Sequence, residues 1–220
     1  MERLLSLPET QIRNRFDSRG FRLEVVMVFV FGLVGSIGML FFSWQVWSIT
    51  DNMPAYTEFE LTGEVVGPIL FVFFVWILYT VTAHLLANLY GGRGPIVRLF
   101  RTSAWAMIPI ALWLLLRSIV QIFLFYTMEF PSNRQELSNL GFDIEEQIAS
   151  LLETGLEDLI YVATILLGIV FVVWSWNYLS IAVQESKDLS PDEAKKVAGV
   201  PAGILACYLL YLVFQWQPLF

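Results

Sequence analysis

At 220 residues, with 57% hydrophobic and 15% aromatic side chains and a mean hydropathy of +0.65, the chain carries more apolar surface than a soluble domain of its size can hide. Lipid is its main solvent. A net charge of −7 and a lone cysteine, Cys207 in the last apolar run, speak against a nucleic-acid partner and exclude a disulfide framework and a thiolate metal site.

A helix crossing a hydrocarbon core of about 30 Å needs about 20 apolar residues. Val25–Ile49, Val65–Tyr90, Ala104–Met128, Leu159–Val183 and Val197–Trp216 meet or approach that length. The expected fold class is therefore all-α, a five-helix transmembrane bundle, organised as a cytoplasmic lead over 1–24 and a single five-span domain over 25–220. In the lead, Ser6, Pro8 and Glu9 read as a helix start and Gly20 as a stop, with Ile12 and Phe16 on one side. A short helix resting on anionic headgroups follows. The polar lead and the length of the first run argue against a cleavable signal peptide.

In the first span, Gly32, Gly35, Ser36 and Gly38 are small residues that allow close helix packing. Ser36 and His84 fall at different depths, so they do not form a nucleophile and base. DNMPAYTEFE, residues 51 to 60, mixes turn residues with charge and reads as a loop. In the second span, Thr80, His84 and Asn88 follow one helical stripe, and Asn177 of the fourth span lies at a comparable depth. Such an intramembrane polar cluster reads as interhelical hydrogen bonding, with a substrate or proton site as the alternative.

The turn Gly91, Gly92, Arg93, Gly94, Pro95 has no preceding strand and no Lys-Ser/Thr pair, so it is not a phosphate-binding loop. Tyr90 ends a helix, Gly91 and Gly92 permit the left-handed conformation that stops one, and Gly94-Pro95 start the next element. In the third span Arg117 lies roughly 16 residues, or about 24 Å, from the cytoplasmic end. It is a candidate for a structural ion pair with Glu64, Glu157 or Asp158, assisted by Gln121, or for snorkelling to outer headgroups.

The third loop carries Glu129, Glu136, Asp143, Glu145, Glu146, Glu153, Glu157 and Asp158 against Arg134. This acidic outside face disfavours anionic ligands there. Within it, Leu140, Ile144, Ile148, Leu151, Leu152 and Leu159 share one side of an expected amphipathic external helix that Asp143 and Glu146 begin. SPDEA, residues 190 to 194, is a second start signal, with Ser190 as cap, Pro191 in the first position and Glu193 reaching back. That helix should run directly into the last span, whose first turn Pro201 should soften. Trp44, Trp47 and Trp105 fit interfacial anchoring.

Lysine and arginine are retained on the cytoplasmic side during insertion. Of the 13 basic residues, all but Arg117 and Arg134 fall in the lead, the second loop or the fourth loop. Five crossings then put the N-terminus in the cytoplasm and the C-terminus outside. Acidic loops and an excess of arginine over lysine are also the composition expected of a salt-loving microbe. With one histidine and one cysteine, neither a catalytic residue, a metal site nor a cofactor site is expected.

The run HLLANLYGGRGPIVRLFRTSAWAMIPIAL, with its histidine-bearing span, Gly-Gly turn and Pro109 early in the next helix, resembles the Yip family of Rab-interacting membrane proteins in its prokaryotic branch. ESKDLSPDEAKKVAGVPAGIL, leading through Ala194 into a span with an early Pro201, is a second similarity, as is the arginine-rich lead. The resemblance implies a non-enzymatic membrane scaffold or adaptor of the trafficking type that associates with other membrane proteins or with itself. Eukaryotic members bind small GTPases. Their Asp-Leu-Tyr-Gly-Pro motif is absent here, where residues 88 to 91 read Asn-Leu-Tyr-Gly, so the GTPase partner does not carry over. A transporter or channel using the polar cluster is the competing expectation.

Overall fold

The structure, a computed structural model, describes residues 21–50, 55–127, 150 and 159–215. Within them the chain forms α1 (Arg22–Thr50), α2 (Ala55–Leu89), α3 (Ile96–Ser103), a 3₁₀ turn (Ala104–Met107), α4 (Ile108–Thr127), α5 (Leu159–Lys187) and α6 (Pro191–Gln215). Five segments are long and apolar enough to cross a bilayer: Arg22–Ser48, Val65–Leu89, Ile96–Thr127, Leu159–Lys187 and Pro191–Phe214. The chain is thus an all-α bundle of polytopic membrane type. The expected helices of the N-terminal lead and of the third loop lie outside the described residues.

Several boundaries differ from the sequence reading: the first span starts at Arg22 rather than Val25 and the fourth runs to Lys187 rather than Val183, and three further differences have a local cause. The DNMPAYTEFE stretch is helical from Ala55 onward. Its polar residues mark where the chain leaves lipid, but nothing between 55 and 62 interrupts the backbone hydrogen-bond series. The third span starts at Ile96 rather than Ala104, as α3, the 3₁₀ turn and α4 in succession. Pro109 explains the tightening: it has no N–H to offer the Trp105 carbonyl, and the Ile108 N–H takes that carbonyl instead. Pro201, expected in a soft first turn, lies well inside a continuous helix, because α6 begins at Pro191.

The helices close a ring in the order α1, α2, α6, α5, α4, each packed on its two neighbours. α3 and the 3₁₀ turn fold into one end of the ring between α2 and α5. There Leu99, Ala104, Ala106 and Met107 are fully buried. On α2, Val72, Val75, Tyr79, Ala83 and Ala87 face inward while Leu70, Phe74, Ile77, Val81 and Leu85 are exposed. An apolar outward face is what hydrocarbon requires and what water penalises.

Side-chain donors aimed at carbonyls of neighbouring elements stitch the ring together. Ser36 donates to Val65 O (2.5 Å) between α1 and α2, and Ser118 donates to Val34 O (2.9 Å) between α4 and α1. Trp113 Nε1 donates to Thr164 O (2.7 Å) between α4 and α5, and Trp176 Nε1 to Lys195 O (3.0 Å) between α5 and α6. Trp76 Nε1 reaches Phe100 O (3.0 Å) and Ser175 reaches Ala106 O (2.6 Å), fixing α3 and the 3₁₀ turn. Each such bond contributes about 0.6 kcal/mol on average within a membrane, so the set acts mainly as a register.

Close approach sets the α1 contacts. A Cβ on Gly32 would stand 2.5 Å from Ile69 Cα, and one on Gly38 would stand 2.7 Å from Gln121 Cβ. Gly203, by contrast, faces open space. Gly32→Leu should force α1 off α2 at a cost of about 1–3 kcal/mol, lowering the melting temperature in detergent by several degrees, whereas Gly203→Leu should leave it near wild type. Equal melting curves for the two variants would contradict the packing described.

Candidate functional site at the basic end of the ring

Two chain connections meet at the end of the ring that holds α3. The first leaves α2 at Leu89. Gly91 at φ 78° turns the chain, and the Gly92 N–H returns to Ala87 O at 2.8 Å, closing the helix as a left-handed cap does. The second joins α5 to α6 in three residues, with Asp188 at φ 55°. Ser190 and Glu193 form the expected reciprocal cap: Ser190 N–H donates to Glu193 Oε2 (3.1 Å) and Glu193 N–H to Ser190 Oγ (3.4 Å).

Lys187 joins the two connections. Its carbonyl accepts the Arg93 N–H at 2.8 Å, and its ammonium donates to Gly94 O at 2.6 Å. The side chain is fully buried. A cation is tolerated there because it sits at the C-terminal end of α5, where the helix dipole is negative, and because its donor finds a carbonyl. Gly94 has φ 140°, and a Cβ on it would stand 2.2 Å from Ser186 O. Only glycine fits that approach. The turn that the sequence marks as a helix stop is therefore also the lock between two connections, and Lys187, read from sequence as one more basic loop residue, is its central contact. No signal in the sequence pairs positions 94 and 187, which are 93 residues apart.

Basic side chains surround this lock. Arg93, Lys195 and Lys196 are exposed, and Arg98 and Arg101 are half-buried. Arg101 Nε lies 3.7 Å from Glu24 Oε1, tying the start of α1 to α3. Basic residues of the second and fourth loops thus share one end with the start of α1, through the Glu24–Arg101 pair and the Arg93–Lys187 hydrogen bond.

The expected polar cluster divides among separate partners. Thr80, fully buried, donates to Trp76 O (2.8 Å) and shares a hydrogen bond with Ser103 Oγ (2.7 Å). His84 Nε2 lies 3.4 Å from Asn88 Nδ2. Asn177 is exposed and donates to Val173 O of its own helix (3.1 Å). At the other end of the ring, Arg117 donates through Nε (2.8 Å) and Nη2 to the Tyr161 hydroxyl. Of its expected ion-pair partners, Glu157 and Asp158 lie outside the described residues, as does the side chain of Glu64. The Tyr161 contact was not foreseen, because tyrosine offers no charge for a pairing argument to find.

These features coincide with a match to the model of the Yip1 domain over residues 9–214. The chain belongs to the Yip1 domain family. No curated protein and no solved structure matches it significantly. Among the described residues of this Yip1 domain, no group of three or more His, Cys, Asp or Glu could hold a metal ion. Family membership and the five apolar spans describe a multi-pass integral protein of a cell membrane.

Lys187→Met should leave the Gly94 carbonyl without its donor at a cost of about 1–3 kcal/mol. The variant should melt earlier, and its Arg93 amide should exchange hydrogen faster. Gly94→Ala should be the more severe change, since both its dihedral angle and the Ser186 carbonyl oppose it. Wild-type melting and Arg93 protection in Lys187→Met would show that the ammonium does not hold the turn.

Proposed function

We propose that this Yip1 domain protein is a scaffold or adaptor that organises membrane or recruits membrane proteins at its basic end, with that end in the cytoplasm. The observation that carries the reading is the convergence of Arg93, Arg98, Arg101, Lys195 and Lys196 around a junction closed by Lys187 and Gly94. A basic rim next to the span ends suits anionic cytoplasmic headgroups, and a locked junction presents it as one surface. In this reading the N-terminus is cytoplasmic, the C-terminus external, residues 1–24 form an interfacial lead, and the acidic third loop carries an external amphipathic helix. The resemblance of the two motif runs supports the prokaryotic branch, and the acidic, arginine-rich composition supports a salt-loving source.

The competing reading as a transporter or channel finds less support, because Thr80, the His84–Asn88 pair and Asn177 do not meet one another. His84→Ala should accordingly leave solute flux into liposomes unchanged.

Orientation and role are tested separately. In a Cys207→Ser background, Arg93→Cys should react with an impermeant maleimide only after cells are opened, whereas Gln217→Cys should react in intact cells. The reverse pattern would overturn the orientation. Crosslinking in native membranes should then return reproducible membrane-protein partners or a second copy of the chain, diminished at least several-fold when Arg93 and Arg98 are changed to Glu. A chain that crosslinks to nothing in its own membrane would overturn the scaffold role.

A further inference from the structure

At the end of the ring away from α3, the described residues border a cavity. This cavity, of about 300 Å³, lies between α1, α2, α4 and α6, and its walls include Phe71, Trp113, Arg117, Gln121, Tyr208 and Leu212. We propose that this cavity binds the anionic end of a membrane amphiphile, with the oxyanion on Arg117 and Gln121 and the hydrocarbon against the aromatic and aliphatic wall.

Charge makes the first argument. Arg117 is a permanent cation with five N–H donors, ten residues from the end of α4 and therefore about 15 Å along it. Its protein partner is the neutral hydroxyl of Tyr161, whose ring also lies 5.2 Å from the guanidinium carbon. Among the described residues no carboxylate lies within ion-pair distance of it. A phenol orients a guanidinium and does not neutralise it.

Gln121 makes the second. It stands one helical turn from Arg117 on the same face of α4 and is only 2% exposed. Its Oε1 has no partner, and its Nε2 meets only the Met39 sulfur at 3.5 Å, a weak acceptor. The amide NH2 therefore lacks a strong acceptor, and a bound oxyanion accepts from it and from the guanidinium together; Oε1, itself an acceptor, takes no part.

The walls select an amphiphile over a free anion. Phe71 and Tyr208 stack at 6.2 Å between ring centres, and Tyr208 is 44% exposed, so the cavity reaches the surface of the bundle along α6. The volume lies at the lower end of small-molecule sites, which suits a headgroup and the start of one chain. Such a ligand enters sideways from the bilayer. The inference is independent of the scaffold reading.

The test uses full-length protein stripped of lipid in detergent and four diazirine-bearing probes of equal chain length: a fatty acid, its methyl ester, a phosphatidylglycerol and a phosphatidylcholine. Mass spectrometry of the photolabelled protein should find the acid or the phosphatidylglycerol on peptides containing Phe71 or Leu212, at least tenfold above the ester or the phosphatidylcholine. Whichever anionic probe prevails identifies the source of the oxyanion. Arg117→Gln should reduce that labelling about tenfold, Arg117→Lys should retain part of it, and Arg93→Gln should not change it. Leu212→Trp, which fills the cavity without touching Arg117, should also abolish it, and decides the matter should Arg117→Gln fail to fold. Equal labelling by charged and neutral probes, or none on these peptides, would overturn the proposal. The scaffold reading would stand in either case, since it concerns the opposite end of the ring.

Discussion

A carbonyl released from a helix inside a bilayer has no water to turn to, and that constraint governs this fold. Where the chain departs from simple helix, a neighbouring side chain answers. Pro109 forces a 3₁₀ turn, and Ser175 of α5 takes the Ala106 carbonyl there. Phe100 O, just before the turn, receives the Trp76 indole. Pro68 lies inside a continuous α2, and in the turn before it Ser36 of α1 donates to the Val65 carbonyl. The proline-bearing stretches are therefore also places where helices are joined, and a departure in one helix fixes the register of the next.

The same constraint accounts for what could be read in the sequence. Span number and type were legible because crossing a bilayer demands a minimum apolar length. The start of α6 was legible because Ser190, Pro191 and Glu193 act within one turn of each other. The GGRGP turn was legible as a helix stop, since a left-handed residue at Gly91 is a local requirement. Lys187 was not legible as a clamp, nor Tyr161 as the partner of Arg117, because those contacts join residues 93 and 44 positions apart. Asn177 shows the limit most plainly. A helix that is apolar all round carries no stripe to mark its inner face, so equal depth with Thr80 did not imply a common neighbour.

Glu24 and Lys187 show how charge is accommodated at the basic end. Both are buried, yet neither is isolated. Glu24 stands beside Arg101, and Lys187 ends α5 with its ammonium on a backbone carbonyl. Each charge joins a chain end to a turn, so the electrostatic cost of burial is offset at points where the connections would otherwise be free to separate. The exposed lysines and arginines around them have no such structural duty and remain available to headgroups or partners.

The two ends of the ring differ in what the described residues place there. At the basic end α3 and the 3₁₀ turn supply Leu99 and Met107 to the centre, and Trp76, Thr80, Ser103 and Ser175 are hydrogen-bonded there, while Glu24 Oε2 and His84 Nδ1 are buried without a partner among the described residues. At the other end Gly67 stands in the cavity wall with open space before it, and that space is bordered by a guanidinium and a partly satisfied amide. Hydrocarbon alone is a poor occupant for such a space, since it offers no acceptor to Arg117, and a bare anion is a poor one, since it leaves the aromatic wall unused. A site with both demands is complementary to a molecule that is itself divided, and the solvent of this protein is made of such molecules.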